Sequence, residues 1–161
     1  FTMGLNLNFS YKGFDLNITG AGAFGQQIAK SYRSFADSPL QNYTTDIFGR
    51  WTGEGTSNKL PRLTSGSHTN WQNISDIYIE DGDYLKIQNL TIGYDFKKLF
   101  PTMPLGQARL YLTAQNLFTF TGYSGMDPEI GYGYDKSWVS GIDLGYYPSP
   151  RTYMVGVNLK F

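Results

Sequence analysis

A period of two, held through five separate stretches of roughly ten residues, limits what this chain can fold into more than any other feature. In FTMGLNLNFSY the side chains of Phe1, Met3, Leu5, Leu7, Phe9 and Tyr11 fall on one side of an extended backbone, and Thr2, Gly4, Asn6, Asn8 and Ser10 fall on the other. The pattern repeats after Lys12 and Gly13, with Phe14, Leu16 and Ile18 opposite Asp15, Asn17 and Thr19. It returns in DYLKIQNLTIGYDF, where Leu90, Ile92, Tyr94 and Phe96 oppose Asn89, Thr91, Gly93 and Asp95. ARLYLTAQNLFTF sets Ala108, Leu110, Leu112, Ala114, Phe118 and Phe120 against Arg109, Tyr111, Thr113, Gln115 and Thr119. In RTYMVGVNLKF, Tyr153, Val155, Val157, Leu159 and Phe161 lie opposite Thr152, Met154, Asn158 and Lys160. Two places break the rule. Leu85 and Ile87 fall on the polar side, which calls for a bulge or for packing against other protein, and Asn116 falls on the apolar side.

The connections have a rhythm of their own. Lys12–Gly13 reads as a tight hairpin turn, and KKLFPTMPLGQ is short. From about Ser31 to Asp83 the pattern dissolves into Gly, Ser, Thr, Asn and Pro with scattered aromatics, and TGYSGMDPEIGYGYDKSWVSGIDLGYYPSP is a second long connection. Antiparallel neighbours joined short, long, short, long place both long connections at one end of a sheet. Brief periplasmic turns and long extracellular loops are the asymmetry of an outer-membrane barrel, whose apolar band of ~25 Å suits tilted strands of this length. Tyr11, Phe14, Phe96, Phe120, Tyr153 and Phe161, near strand ends, would supply the aromatic girdles. A soluble antiparallel sandwich or lipocalin-like barrel also alternates, but it turns its apolar face inward and is joined mostly by short loops. The expected fold is therefore all-β, an antiparallel transmembrane barrel segment of about five strands with two long extracellular loops.

Composition narrows the chemistry. Charged residues make up 16% of the chain, against roughly 25% in ordinary soluble domains, and aromatics make up 17%. A formal net charge of zero gives no overall basic field to draw nucleic acid or an anionic membrane surface. There is no cysteine for a disulfide or thiolate site, and no apolar run long enough for a membrane helix. The single histidine, His68 in SGSHTN, is the only candidate imidazole base, and one histidine gives neither a triad nor a zinc site by itself. No catalytic residue is assigned, and an enzyme is not expected. Asp127, Glu129, Asp135 and Asp143 could offer oxygens to calcium, but their spacing matches no EF-hand; no cofactor or metal is expected. GAGAFG follows a hairpin strand and opens no helix, so it reads as small residues permitting close packing rather than as a phosphate loop. The loops carry Tyr43, Trp51, Trp71, Tyr132, Tyr134, Trp138, Tyr146 and Tyr147. Flat rings with a polar handle suit sugar stacking or a protein partner, and also suit holding large loops together.

YIEDGDYLKIQNLTIGYDF, ARLYLTAQNLFTFTGYSGMDPEIG and GIDLGYYPSPRTYMVGVNLKF, in that order, resemble the C-terminal end of the SusC/RagA type of TonB-dependent outer-membrane transporter. The likeness covers most of Tyr78 to Phe161. It implies that residues 1–161 are the C-terminal part of a larger barrel, of 22 strands in that family, with the plug and the TonB-contacting box in a missing N-terminal part. It further implies a Gram-negative outer-membrane location, import of oligosaccharides or peptides, a SusD-like surface lipoprotein as lid, and energy coupling to TonB. Tyr153, Val155, Val157, Leu159 and Phe161 would be the strand read by the barrel-assembly machinery. Trp51, Trp71, Tyr132, Tyr134 and Trp138 would contact the ligand or the lid. Two alternatives stay open at this point. A self-contained small barrel, an adhesin or structural protein, needs three more strands hidden in the loops; an outer-membrane hydrolase needs His68 to meet a nucleophile.

Overall fold

The computed structural model describes residues 1–32, 45–63, 75–130 and 141–161. It divides into two compact units, one of Phe1–Gly25, Asp83–Gly122 and Pro148–Phe161, the other of Gln26–Gly82 and Tyr123–Tyr147.

The first unit is a five-stranded antiparallel sheet of β1 (Thr2–Tyr11), β2 (Phe14–Ala23), β5 (Tyr84–Asp95), β6 (Gln107–Thr121) and β8 (Thr152–Lys160), paired in that order. All five alternating segments of the sequence are strands, each paired with its neighbour in the series. Lys12 and Gly13 both have positive φ, as a two-residue I′ hairpin turn requires. Ala23, Tyr84 and Thr121 stand side by side, so the long connections that follow Ala23 and Thr121 leave the sheet at the same end. Among the described residues β1 and β8 each pair along one side only, and the sheet does not close.

Of the two remedies open near Leu85 and Ile87, a bulge or packing against other protein, the structure shows the bulge. Thr19 pairs with Asn89 but Gly20 pairs with Ile87, leaving Gln88 as an extra residue in β5. β6 carries one more residue again, Asn116 and Leu117 spanning the step between Gln115 and Phe118, and Asn116 takes a left-handed φ of 52°. Asn and Asp tolerate that conformation better than other side-chain-bearing residues, which accounts for an Asn at the one exception on the apolar side. Through this step Ile87 and Leu85 share the face of Leu90, Ile92 and Tyr94. The small residues of GAGAFG permit close approach, as expected: a Cβ on Gly20 or Gly22 would stand 2.8 Å from the Lys86 or Tyr84 carbonyl oxygen of β5.

The second unit corrects the reading of the long connections as patternless. β3 (Gln27–Lys30), β4 (Ile79–Asp81) and β7 (Ile142–Asp143) form a separate three-stranded sheet with β3 in the middle, antiparallel to β4 and parallel to β7. These are three further strands in the loops, the number that a small self-contained barrel would need. They are two to four residues long and pair with one another, so they do not extend or close the larger sheet. Short runs such as Gln27–Lys30 hold too few residues for a period of two to stand out in a sequence.

Candidate functional site

Register turns the alternation into continuous rows across the sheet. On one face Phe9, Leu16, Ile92, Leu112 and Val155 are direct cross-strand neighbours, with Leu7, Ile18, Leu90, Ala114 and Tyr153 in the next row. On the other face the corresponding rows are Asn8, Asn17, Thr91, Thr113 and Met154, and Asn6, Thr19, Asn89, Gln115 and Thr152. Among the described residues, most of the large side chains on the apolar face are exposed. Phe9, Leu112, Phe118, Phe120, Tyr153, Val155, Val157 and Leu159 are all exposed, from 49% for Leu112 to 74% for Val155, and among the described residues the buried hydrophobic residues of this first unit are Ala23, Ala108 and Ala114. A soluble domain arranges this the other way round.

The polar face is internally bonded. Asn17 donates to Asn8 (2.6 Å), Asn8 to Asn6 (3.0 Å), and the hydroxyls of Thr91 and Thr113 meet at 2.9 Å. Arg109 on β6 reaches across β5 to Asp15 on β2, its Nε and Nη2 donating to the two carboxylate oxygens at 2.8 and 2.5 Å. Gly93 makes room for this: a Cβ there would lie 2.6 Å from both the guanidinium and the carboxylate. Gly156 does the same for the ring of Tyr111, over which the Arg109 guanidinium stands 4.8 Å from the centroid.

Within the second unit a polar cluster ties the two long connections together. Lys30, 3% exposed, projects on the same side of β3 as buried Ile28 and donates to Glu80 of β4 at 2.5 Å and to the hydroxyl of Ser124. Ser124 donates its backbone N–H to the other Glu80 oxygen at 3.0 Å. The Lys30 ammonium stands 5.8 Å from the Tyr123 ring, and the Tyr123 hydroxyl donates to buried Asp143 of β7 at 2.6 Å. Asp143 also accepts the N–H groups of Gly145 (2.7 Å) and Tyr146 (3.3 Å). Burial alone would raise the Glu80 carboxyl, but hydrogen bonds from Lys30 and Ser124 outweigh it and hold the carboxyl below its ordinary range. Burial first, then the Asp143 carboxylate, push the Tyr123 hydroxyl well above its ordinary value, so it stays a neutral donor. The alternation rule does not reach this cluster. Its one sequence signal is a lysine two residues after an isoleucine in QIAK, on the side that would be buried.

The candidate residues fall as follows. Tyr153, Val155, Val157, Leu159 and Phe161 are exposed on or beside β8, in line with the other apolar rows. Trp51 is partly exposed, donates its backbone N–H to the Leu60 carbonyl at 3.0 Å, and lines a cavity with Lys59, Leu60, Pro61 and Arg62. A larger cavity of about 1030 Å³ is bounded by Lys30, Asp46, Asn58, Asp76, Tyr78 and Glu80, among others. Tyr147 is exposed and Tyr146 half-buried. Tyr43, His68, Trp71, Tyr132, Tyr134, Asp135 and Trp138 lie outside the described residues. Of the other loop carboxylates, Asp127 accepts the Glu129 N–H at 2.9 Å, and Asp143 is committed to Tyr123, Gly145 and Tyr146.

No family model matches the chain. TonB-dependent receptor P3 of Formosa agariphila is 36% identical over 166 residues, covering 100% of this chain and 16% of that receptor. TonB-dependent receptor SusC of Bacteroides thetaiotaomicron is 29% identical over 99% of this chain and 15% of the receptor. Among solved structures, the RagAB peptide importer in its open-open state is similar with a TM-score of 0.76 and 28% identity, over 99% of this chain and 17% of that one. The chain thus spans a small part of the length of the relatives it matches. Aligned along its whole length with these receptors and sharing their barrel fold, the chain is a barrel segment of the SusC/RagA family of TonB-dependent receptors.

Proposed function

We propose that this chain forms part of the barrel wall of an outer-membrane active importer that takes up oligosaccharides or peptides, coupled to TonB and lidded by a SusD-like surface lipoprotein. The observation that carries the reading is the sheet's inverted amphipathicity: the face that bears the large hydrophobic side chains is the bare one, and the opposite face is hydrogen-bonded and polar. Lipid against the first face and a hydrated lumen against the second would satisfy both. Receptors of this family are outer-membrane proteins, and the solved relatives with the same fold are described as a peptide importer. In the whole protein the plug and the TonB-contacting box would lie in other parts of the sequence.

Trp51, Trp71, Tyr132, Tyr134 and Trp138 are the rings assigned to ligand or lid, because they sit in connections that leave the sheet at one end and offer contact area at small entropy cost. Tyr153, Val155, Val157, Leu159 and Phe161 are assigned to recognition by the barrel-assembly machinery, a role that their exposure on one apolar row supports. The test is uptake in cells that carry the full-length receptor as their sole copy. Labelled oligosaccharide or peptide should enter only when receptor and TonB are both present. Replacing the five loop rings by Ala should lower uptake while leaving receptor abundance in the membrane unchanged. Uptake at the unmodified rate with all five replaced would remove them from the site, and uptake without the receptor would overturn the transport reading.

A further inference from the structure

The zero net charge of this chain is an average over regions of opposite sign. Every acidic residue except Asp15 and Asp95 falls between Asp37 and Asp83 or between Asp127 and Asp143, in the long connections or at their junction with the sheet. The two exceptions are already engaged: Asp15 holds Arg109, and Asp95 accepts the backbone N–H groups of Lys97 and Ala108 at 3.0 and 3.3 Å. At the short-turn end of the sheet, where the Lys12–Gly13 turn and the Phe96–Gly106 connection lie, cations therefore outnumber carboxylates. Lys97 is spent internally on the carbonyls of Pro101 and Met103, at 2.9 and 2.6 Å. Lys12, Lys98 and Lys160 are exposed, and no carboxylate is paired with them among the described residues.

Their stems are seated on neighbouring backbone. A Cβ on Gly13 would lie 2.9 Å from the Lys98 Cβ and Cγ, and one on Gly106 would lie 3.6 Å from the Lys160 Cγ. Lys12 stands 5.2 Å from the centroid of exposed Tyr11. Beside these cations are apolar side chains that the sheet does not cover: Leu99, Phe100 and Phe161 are each more than half exposed. Ammonium groups rimming bare aromatic and aliphatic side chains form the amphipathic pattern of a membrane interface, where rings and alkyl stems enter the acyl boundary and amines stay at headgroup depth.

We propose that this rim binds anionic phospholipid in the leaflet on the short-turn side, with headgroup phosphates taking Lys12 and Lys98 and with Leu99 and Phe100 entering the acyl boundary. The inference rests on the membrane-barrel reading and adds to it a lipid preference. It places a locally basic patch on a neutral chain, and the attraction is short-ranged, falling off within a Debye length of about 8 Å at physiological salt.

The test uses the full-length receptor, cysteine-free apart from Thr102→Cys in the same turn, labelled with bimane and reconstituted in phosphatidylcholine vesicles. Brominated phosphatidylglycerol or brominated phosphatidylcholine is added at equal mole fraction as quencher. Phosphatidylglycerol should associate the more tightly, by about fivefold for each lysine engaged. The preference should vanish in the Lys12→Gln, Lys98→Gln variant and shrink in high salt, while quenching by phosphatidylcholine persists. Equal quenching by the two lipids in the unmodified rim would overturn the proposal, as would no quenching by either, which would mean that water or protein covers the turn. A second label at Leu112→Cys, on the apolar face of β6, separates the two readings. Quenching there by either lipid upholds the barrel in the membrane whatever Thr102→Cys reports, and its absence would overturn the membrane reading and this inference with it.

Discussion

Asp15 and Arg109 meet across an intervening strand because the residue between them is a glycine. Gly93→Ala should therefore act on the pair: its Cβ would occupy the space of guanidinium and carboxylate alike, and neither can yield without losing the two-pronged bond. Arg109→Ala and Gly93→Ala should each lower barrel stability by about 1 to 2 kcal/mol, the range for a part-solvated charged hydrogen bond. The double variant should cost little more than either alone, since both remove one interaction. Thermal unfolding of the full-length receptor in detergent measures this; additive losses would show that Gly93 acts elsewhere. Glu80 gives a pH prediction. Its folded pKa lies below the ordinary value of 4.5, so its contribution is fully present above that value and is lost as pH falls through the lower, folded pKa. Amide exchange corrected for intrinsic rates should show the protection of Ala29, which bonds to the Gly141 carbonyl, falling as pH drops below 4.5. In Glu80→Gln that fall should be absent.

At the scale of elements, β8 shows how far one period of two can be carried. Val157 pairs with Leu110 on the apolar face and Asn158 pairs with Arg109 on the polar one, one residue apart. Val157→Arg should cost up to about 2 to 4 kcal/mol if that row lies near the bilayer midplane, and Asn158→Ser should be close to neutral. Equal membrane levels and equal heat resistance of the two variants would show that β8 does not face lipid. The second unit is held by different means. Its strands are too short to be stable alone, and Lys30, Glu80, Ser124, Tyr123 and Asp143 supply the links between the connection after β2 and the connection after β6.

At the scale of the whole molecule, the five-stranded sheet has two edges that pair along one side only among the described residues and a bare apolar face. Both are tolerable next to further barrel strands and lipid, and neither is tolerable in water. The 161-residue chain produced by itself should therefore aggregate in detergent-free buffer and stay dispersed only in detergent or lipid. Sedimentation of a monodisperse, detergent-free monomer would contradict the barrel assignment.

By itself, the sequence determined the five strands of the larger sheet, their faces and their order. Side-chain direction in a strand follows from backbone geometry, so each run of alternation carries its own answer. The break in period near Ile87 was legible for the same reason, with a bulge or packing against other protein as its remedies, and the paired strands decided for the bulge. Three things required the tertiary structure. The step at Gln88 and Asn116 is a property of paired strands, because an extra residue is extra only relative to a neighbour. The Asp15–Arg109 pair joins residues 94 positions apart, which only register can bring together. The joining of the long connections through β3, β4 and β7 depends on pairings too short to leave a period and on a lysine whose burial is stable only once Glu80 and Ser124 surround it. Local geometry writes itself into local sequence, whereas contacts between distant segments exist only after the chain has folded.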